Sequence, residues 1–189
     1  DRLWSGDRGN NETGADVDDL QGEAGNDEIY AGYGDRVDGG ADNDLLRLNF
    51  ASQTSGTTFS YTDPTNGTGS GNTSVQNIES MDLYGGSGND TYTLSALTGN
   101  RASGGQAAYV TAGAGNDTVS GSNANDLLQG EAGNDLLDGQ GGNDDLSGGS
   151  GSDTIKGGAG DDRLWSVDRG IGETGADVDD LQGEAGNDE

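Results

Sequence analysis

The chain has 189 residues, a formal net charge of −27, 38 glycines and one proline, with neither cysteine nor histidine. Those counts exclude disulfide staples and thiol chemistry, and they remove the usual proton shuttle and the soft or imidazole ligands of zinc. The acidity argues against nucleic acid as a partner, because phosphates would be repelled, and no run of about 18 apolar residues is present to cross a membrane. Low apolar content at this charge is ordinarily the composition of a disordered chain, and a repeat is what argues otherwise.

In chain order, Asp1, Leu3 and Trp4 give the first instance of an aspartate followed two places later by an apolar residue. Ser5–Glu12 (SGDRGNNE) reads as a polar loop. The pattern returns with Asp18 and Leu20, then in Gly22–Tyr30 (GEAGNDEIY) with Asp27 and Ile29. Ala31–Asp38 is one residue short, with Asp35 and Val37 in the two places, and Gly39–Arg47 (GGADNDLLR) supplies Asp44 and Leu46. From there Leu46, Leu48 and Phe50 alternate with period two, as do Phe59 and Tyr61, which predicts longer strands. Thr62–Thr73 (TDPTNGTGSGNT), holding the only proline, is the clearest loop. Gly85–Thr93 (GGSGNDTYT) restores the unit with Asp90 and Tyr92. Leu94–Thr111 lacks a matching aspartate yet has the length of two units, so it reads as a coil without a ligand; Arg101 falls at its apolar place.

Ala112–Trp165 then divides without a gap into six nine-residue units: AGAGNDTVS, GSNANDLLQ, GEAGNDLLD, GQGGNDDLS, GGSGSDTIK and GGAGDDRLW. Asp117, Asp126, Asp135, Asp144, Asp153 and Asp162 hold the sixth place; Val119, Leu128, Leu137, Leu146, Ile155 and Leu164 hold the eighth. Residues 162–189 repeat residues 1–28 with three differences, Gly6/Val167, Asn10/Ile171 and Asn11/Gly172, and so carry Asp179 and Asp188 as copies of Asp18 and Asp27. The offset, from Asp1 to Asp162, reads as one full repeat followed by the start of the next in a longer tandem array.

One apolar place in nine fits neither an amphipathic helix nor an alternating strand. It fits a glycine turn followed by a very short strand, with two units closing one flattened coil and coils stacking as parallel strands. Stacking places Asp117 over Asp135 and Asp153 on one edge, and Asp126 over Asp144 and Asp162 on the other. Bare carboxylates about 4.8 Å apart repel, and Lys156 and Arg163 are the only cations in the block. A divalent ion between successive turns removes the conflict, and oxygen donors select calcium over softer metals.

These units resemble the RTX nonapeptide G-G-x-G-x-D-x-U-x, a calcium-binding repeat. The resemblance implies an all-β fold, a right-handed parallel β-roll or solenoid, with several calcium ions bridging adjacent turns. By that resemblance the ligands are the sixth-place carboxylates Asp1, Asp18, Asp27, Asp35, Asp44, Asp90, Asp117, Asp126, Asp135, Asp144, Asp153, Asp162, Asp179 and Asp188. Backbone carbonyls near Gly22, Gly39, Gly85, Gly130, Gly139, Gly148 and Gly157 complete the set. Glu131 and Gln140 depart from the motif at the second glycine, and Gly121–Asp126 keeps only the first. The organisation expected is roll coils over 1–44 with a polar loop at 5–12, a wider section of the same solenoid at 45–84 with a loop at 62–73, roll again over 85–165 including the calcium-free coil 94–111, and the next copy from 162. So few apolar side chains leave the 112–165 block dependent on metal to fold.

Two functions remain open. One is a structural or adhesive module, stiffened by extracellular calcium, that extends a large secreted or cell-surface protein beside adjacent copies of itself and assembles end to end or laterally. The other is an accessory calcium-dependent folding domain of a secreted enzyme. The resemblance implies export by bacterial type I secretion. Catalysis by this chain is not expected: no serine has a histidine base, and metal ligation accounts for the carboxylates better than glycoside hydrolysis, which needs a pair in one cleft. Trp4 and Trp165, at the ninth place, are candidates either for packing on a neighbouring coil or for a lateral contact in an assembly or a sugar platform.

Overall fold

A computed structural model describes residues 1–5, 17–99, 105–166 and 178–189. The polar loop predicted at 5–12 falls outside them except for Ser5, and Arg101 lies outside them too. Among the described residues the protein is two sheets facing one another, with strands numbered here in chain order. The first sheet runs β1 (Arg2–Trp4), β3 (Glu28–Ala31), β5 (Leu45–Asn49), β9 (Ser80–Tyr84), β11 (Ala108–Ala114), β13 (Leu127–Ala132), β15 (Asp145–Ser150), β17 (Arg163–Trp165), all parallel. The second runs β2 (Asp19–Gln21), β4 (Arg36–Asp38), β8 (Ser74–Gln76), β7 (Gly67–Gly69), β6 (Thr58–Ser60), β10 (Thr91–Thr93), β12 (Thr118–Ser120), β14 (Leu136–Asp138), β16 (Thr154–Ala159), β18 (Asp180–Ala185). The chain visits the sheets alternately, which is the all-β parallel roll the repeat predicts.

Register follows the repeat length. Leu128 pairs with Leu146 and Val119 with Leu137. These pairs are two nine-residue units apart, as are the stacked aspartates Asp117 and Asp135. In the N-terminal coils Ile29 pairs with Leu46 and Leu20 with Val37, one residue fewer, because the unit 31–38 is one residue short. The eighth-place side chains Val119, Leu128, Leu137, Leu146 and Ile155 are fully buried between the sheets. Each coil buries few apolar groups, and the continuous column they form is the core.

Residues 94–111 do not make a coil of their own. Tyr92 pairs directly with Val119, so 27 residues close this turn of the roll and Asp117 stacks immediately on Asp90. The reason is apolar: Leu94 and Leu97 are buried and enter the core at the edge of the roll without forming a further strand pair, and the chain then joins the first sheet from Ala107 onward.

Between residues 45 and 84 the sheets differ. The first sheet places β9 directly on β5, while the second inserts a three-stranded meander, β6–β7–β8, whose internal pairings are antiparallel. Two additional strand spacings, about 10 Å, therefore separate β4 from β10. The central strand carries Gly67 and Gly69 because the rings of Tyr61 and Phe59 lie against them; a Cβ on Gly69 would meet Phe59 Cδ2 at 2.7 Å. The rings of Phe50, Phe59 and Tyr92 gather there, with centroids 6.5 Å apart from Phe50 to each of the others.

Strands β5, β9 and β11 each turn two or more side chains inward, and this lets the acidic edge move. The column Leu3–Ile29–Leu46–Met81–Ala108 runs through the first half of the first sheet. Ala108 then donates its N–H to Asp126 Oδ1 at 2.8 Å, so an aspartate takes the next place in that column. The adjacent column Leu48–Leu83–Val110 continues as Leu128–Leu146–Leu164. The ligand edge steps two residues across the sheet without interrupting the core.

On the outer face of the first sheet, Trp4 stacks on Tyr30 with centroids 3.7 Å apart, and the Arg47 guanidinium lies 5.4 Å from the same ring. Trp165 donates its indole N–H to Asp145 at 3.0 Å. Both tryptophans thus pack across the strands onto neighbouring coils.

Candidate metal centre

Each turn is built from three constrained places. In the turn 130–135, Gly133 has φ +133°, a conformation closed to most side chains, and a Cβ there would run into the carbonyl of Gly115. Gly130 has ordinary backbone angles but no room: a Cβ would meet Asp135 Oδ2 and the carbonyl of Gly148. The second place also takes positive φ, and there the sequence tolerates Glu23, Glu131, Gln140 and Glu184, at φ between 69° and 76°. Strain of order 1–2 kcal/mol at each such residue is the cost of departing from glycine.

The sixth-place carboxylates form a ladder on each edge. On the edge entering the second sheet, backbone N–H groups donate to Oδ1 of the next coil's aspartate: Asp90 to Asp117 (2.7 Å), Asp117 to Asp135 (2.8 Å), Asp135 to Asp153 (2.9 Å) and Asp153 to Asp179 (2.9 Å). Asp18 donates likewise to Asp35 (3.0 Å). On the other edge the donations run from Asp126 to Asp144 and from Asp144 to Asp162, both 2.8 Å, then from Asp162 to Asp188 (3.1 Å). The N-terminal half of that edge has Asp27 donating to Asp44 (2.8 Å), with the backbone nitrogen of Asp1 2.6 Å from Asp27 Oδ1. The structure thus places all fourteen aspartates predicted from the sequence in these two stacks.

One oxygen per carboxylate is used in this way. The second, Oδ2, is buried and has no hydrogen-bond partner among the described residues in Asp27, Asp44, Asp117, Asp135, Asp144 and Asp162. Six unpaired buried anionic oxygens in two stacks are costly, and those of Asp27, Asp44, Asp135, Asp144 and Asp162 aim at the first glycine of their own turns. There the carbonyls of the following coil converge: Gly39 over Gly22, Ala112 over Gly85, Gly148 over Gly130, Gly157 over Gly139 and Gly183 over Gly157. Gly148 itself faces Asp153 Oδ2. Among the described residues no three acidic side chains converge, so a bound ion would take its remaining ligands from backbone carbonyls and water. That all-oxygen set is the one calcium prefers, and the residues present fit it.

Electrostatics agree. Burial pushes the carboxyls of Asp44, Asp117 and Asp126 up to about 6, Asp135 to about 7 and Asp144 to about 8, against an ordinary 3.8; hydrogen bonds from the neighbouring backbone oppose the rise. Asp162 is also raised, mainly by burial. Holding these groups in the charged form at neutral pH calls for a counter-ion.

Three predicted ligands differ from the rest. Asp35 accepts from Asp18 N–H on one oxygen and Gly32 N–H on the other. Asp126 Oδ2 accepts from both the backbone and the hydroxyl of Ser122, which replaces the second glycine. Asp90 Oδ2 accepts from Gly86 N–H and the Tyr92 hydroxyl (2.9 Å), while Thr57 donates twice to Oδ1. Protein donors there occupy both oxygens.

Sequence reasoning passed over the fifth place. Asn26, Asn89, Asn116, Asn125, Asn134 and Asn143 form a second ladder, each side-chain carbonyl accepting from the backbone of the coil ahead, with Asn116 N–H to Asn89 Oδ1 at 2.9 Å as one rung. Its direction opposes that of the aspartates, so the turns that carry both residues are clipped in both directions. The recurrence of asparagine before aspartate was the available signal.

A search of curated proteins finds no match to the chain. The model of the RTX calcium-binding nonapeptide repeat matches in four copies, at residues 12–46, 82–96, 111–146 and 138–166. Those segments hold most of the unpaired carboxylates and cover more than half of the sequence. A chain whose turns stack hard oxygen donors in the register of that motif, over this much of its length, belongs to the RTX calcium-binding nonapeptide repeat family.

Proposed function

We propose that the protein is a calcium-stiffened spacer: a repeat module that becomes rigid on meeting extracellular calcium and extends a large secreted or cell-surface protein. The observation that carries it is the set of six buried carboxylate oxygens without hydrogen-bond partners among the described residues, distributed on both edges. A cation at each turns mutual repulsion into a link between coils, and binding free energy becomes folding free energy. Weak modules of this kind suit millimolar calcium.

The near-identical segments at 1–28 and 162–189 favour length over chemistry. Arg2–Trp4 is the first strand of the first sheet and Arg163–Trp165 its last; Asp19–Gln21 and Asp180–Ala185 stand likewise in the second sheet. Equivalent segments at opposite ends of the same two sheets let a following copy continue both sheets in register. Leu164 already donates to Glu189 O at 2.8 Å, where Glu28 lies beside Arg2 in the first copy. Calcium titration by circular dichroism and small-angle scattering, on one copy and on two in tandem, tests this. The expected result is an expanded chain in chelator, with the coils of residues 127–165 unfolded, and a rod in calcium whose length increases by a full repeat with the second copy. A folded rod in chelator, or two copies that collapse on one another, would overturn it.

A further inference from the structure

We propose that Glu79, a residue the nonapeptide pattern does not contain, completes the divalent-cation site between the turn 39–44 and the turn 77–79. The second turn joins β8 to β9 and has only three residues, Asn77, Ile78 and Glu79. It nevertheless keeps the register of a full six-residue turn at both ends. At its start, Gly39 N–H donates to Gln76 O at 3.0 Å, as Gly22 N–H donates to Asp38 O at 2.8 Å, and the Asn77 carbonyl faces Gly39 as the Gly39 carbonyl faces Gly22. At its end, Asp44 N–H donates to Glu79 Oε2 at 2.9 Å, as Asp27 N–H donates to Asp44 Oδ1 at 2.8 Å. Glu79 therefore occupies the sixth place of a turn from which the middle is missing, and its additional methylene supplies reach.

A second observation points to a ligand. Asp44 is 2% exposed, and its Oδ2 has no hydrogen-bond partner among the described residues. That oxygen aims at the first glycine of its own turn, where a Cβ on Gly39 would lie 2.6 Å from it and against the Asn77 carbonyl. Asn77 is held at φ +54°, an unusual conformation for a non-glycine residue. One buried carboxylate oxygen, the Asn77 carbonyl and the carboxylate of Glu79 on the next coil thus border the same turn. The ion that suits them is a hard one of the calcium class. Above Glu79 the aspartate stack on this edge is interrupted, so this site closes the N-terminal group of ions.

The proposal rests on calcium binding by the repeats, and the experiment separates the two. If Glu79 serves only as a hydrogen-bond acceptor, Glu79→Gln replaces it without loss, since the amide carbonyl accepts from Asp44 N–H equally well. Calcium uptake by the full chain is measured by equilibrium dialysis for the wild type and for E79Q, with far-ultraviolet dichroism at saturating calcium to confirm the roll. The expected result is one ion fewer in E79Q, or one site weakened roughly tenfold or more, with the remaining sites unchanged. Equal stoichiometry and affinity would overturn the role of Glu79 alone; a wild type that takes up no calcium would overturn the parent reading. Should E79Q not fold, E79D keeps the charge and withdraws it by one methylene. Loss of the same site in E79D supports the proposal, and full binding by it overturns the proposal.

Discussion

Asp117 and Asp135 stand one coil apart: the backbone N–H of Asp117 donates to Asp135 Oδ1 at 2.8 Å, and Asp135 Oδ2 is left buried with no hydrogen-bond partner among the described residues. One oxygen locks the register and the other is left without a donor. Asp135→Asn separates the two tasks, because the amide carbonyl can still accept from Asp117 while the anion is gone. The expected outcome is a calcium midpoint raised roughly tenfold in a titration followed by dichroism, with no loss of residual structure in chelator. An unchanged midpoint would mean that this carboxylate does not hold an ion.

The same burial gives a pH signature of definite sign. The carboxyls of Asp44, Asp117, Asp126, Asp135 and Asp144 sit at about 6 to about 8 in the fold against 3.8 otherwise. Raised values mean that the folded state holds more protons, so without metal their contribution is fully present below about pH 4 and is lost as pH rises through about 6 to about 8. In chelator, strand content should therefore fall as pH rises from about 5 to about 8. In calcium the dependence reverses, because the ion displaces protons. Uptake should release protons at about pH 6.5, measurable in a pH-stat, and the calcium midpoint should fall as pH rises.

Glycine places differ in what they tolerate. Gly130→Ala puts a Cβ onto Asp135 Oδ2 and the Gly148 carbonyl, so it should destabilise the calcium-loaded roll by roughly 1–3 kcal/mol or more. Gln140→Gly relieves a non-glycine residue at φ +75° and should stabilise by up to about 1 kcal/mol, after allowance for the entropy of glycine. Thermal melts in calcium of both variants check the opposite signs.

Asp90, Tyr92 and Thr57 form a closed network in which a phenol stands where a cation would otherwise be needed: Tyr92 O–H donates to Asp90 Oδ2 at 2.9 Å, and the Thr57 hydroxyl, whose one proton can reach Asp90 Oδ1 or the Tyr92 oxygen, lies 2.8 Å from the latter. Beside it lies the thickest part of the core, with Phe50, Phe59, Tyr61 and Leu97 buried. The expectation is that residues 46–98 keep amide protection in chelator while residues 127–165 lose it, read by hydrogen exchange. Tyr92→Phe leaves Asp90 one donor short and should cost about 1–3 kcal/mol, removing that residual protection. Protection lost evenly along the wild type would refute the division.

Much of this was legible in the residues. The nine-residue spacing of Asp117 through Asp162 announces short strands, stacked coils and paired acidic edges, because a period is a local property that each unit carries in full. The same holds for the oxygen chemistry of the ligands. The sequence by itself therefore determined the roll, its edges and the kind of ion they suit. It did not reveal that a single long coil closes between Tyr92 and Val119, that β6–β7–β8 fold as an antiparallel meander, or that Ala108 hands its column to Asp126. Nor did it separate Asp90 and Asp126, whose oxygens are occupied by Tyr92 and Ser122, from Asp135 and Asp144, whose Oδ2 atoms lack a hydrogen-bond partner among the described residues. Only the tertiary structure decided these, because which donor reaches a carboxylate depends on the coil stacked against it. That neighbour is distant in the chain by an amount that varies from coil to coil, as Val37 shows by pairing with Leu20 on one side and Val75 on the other.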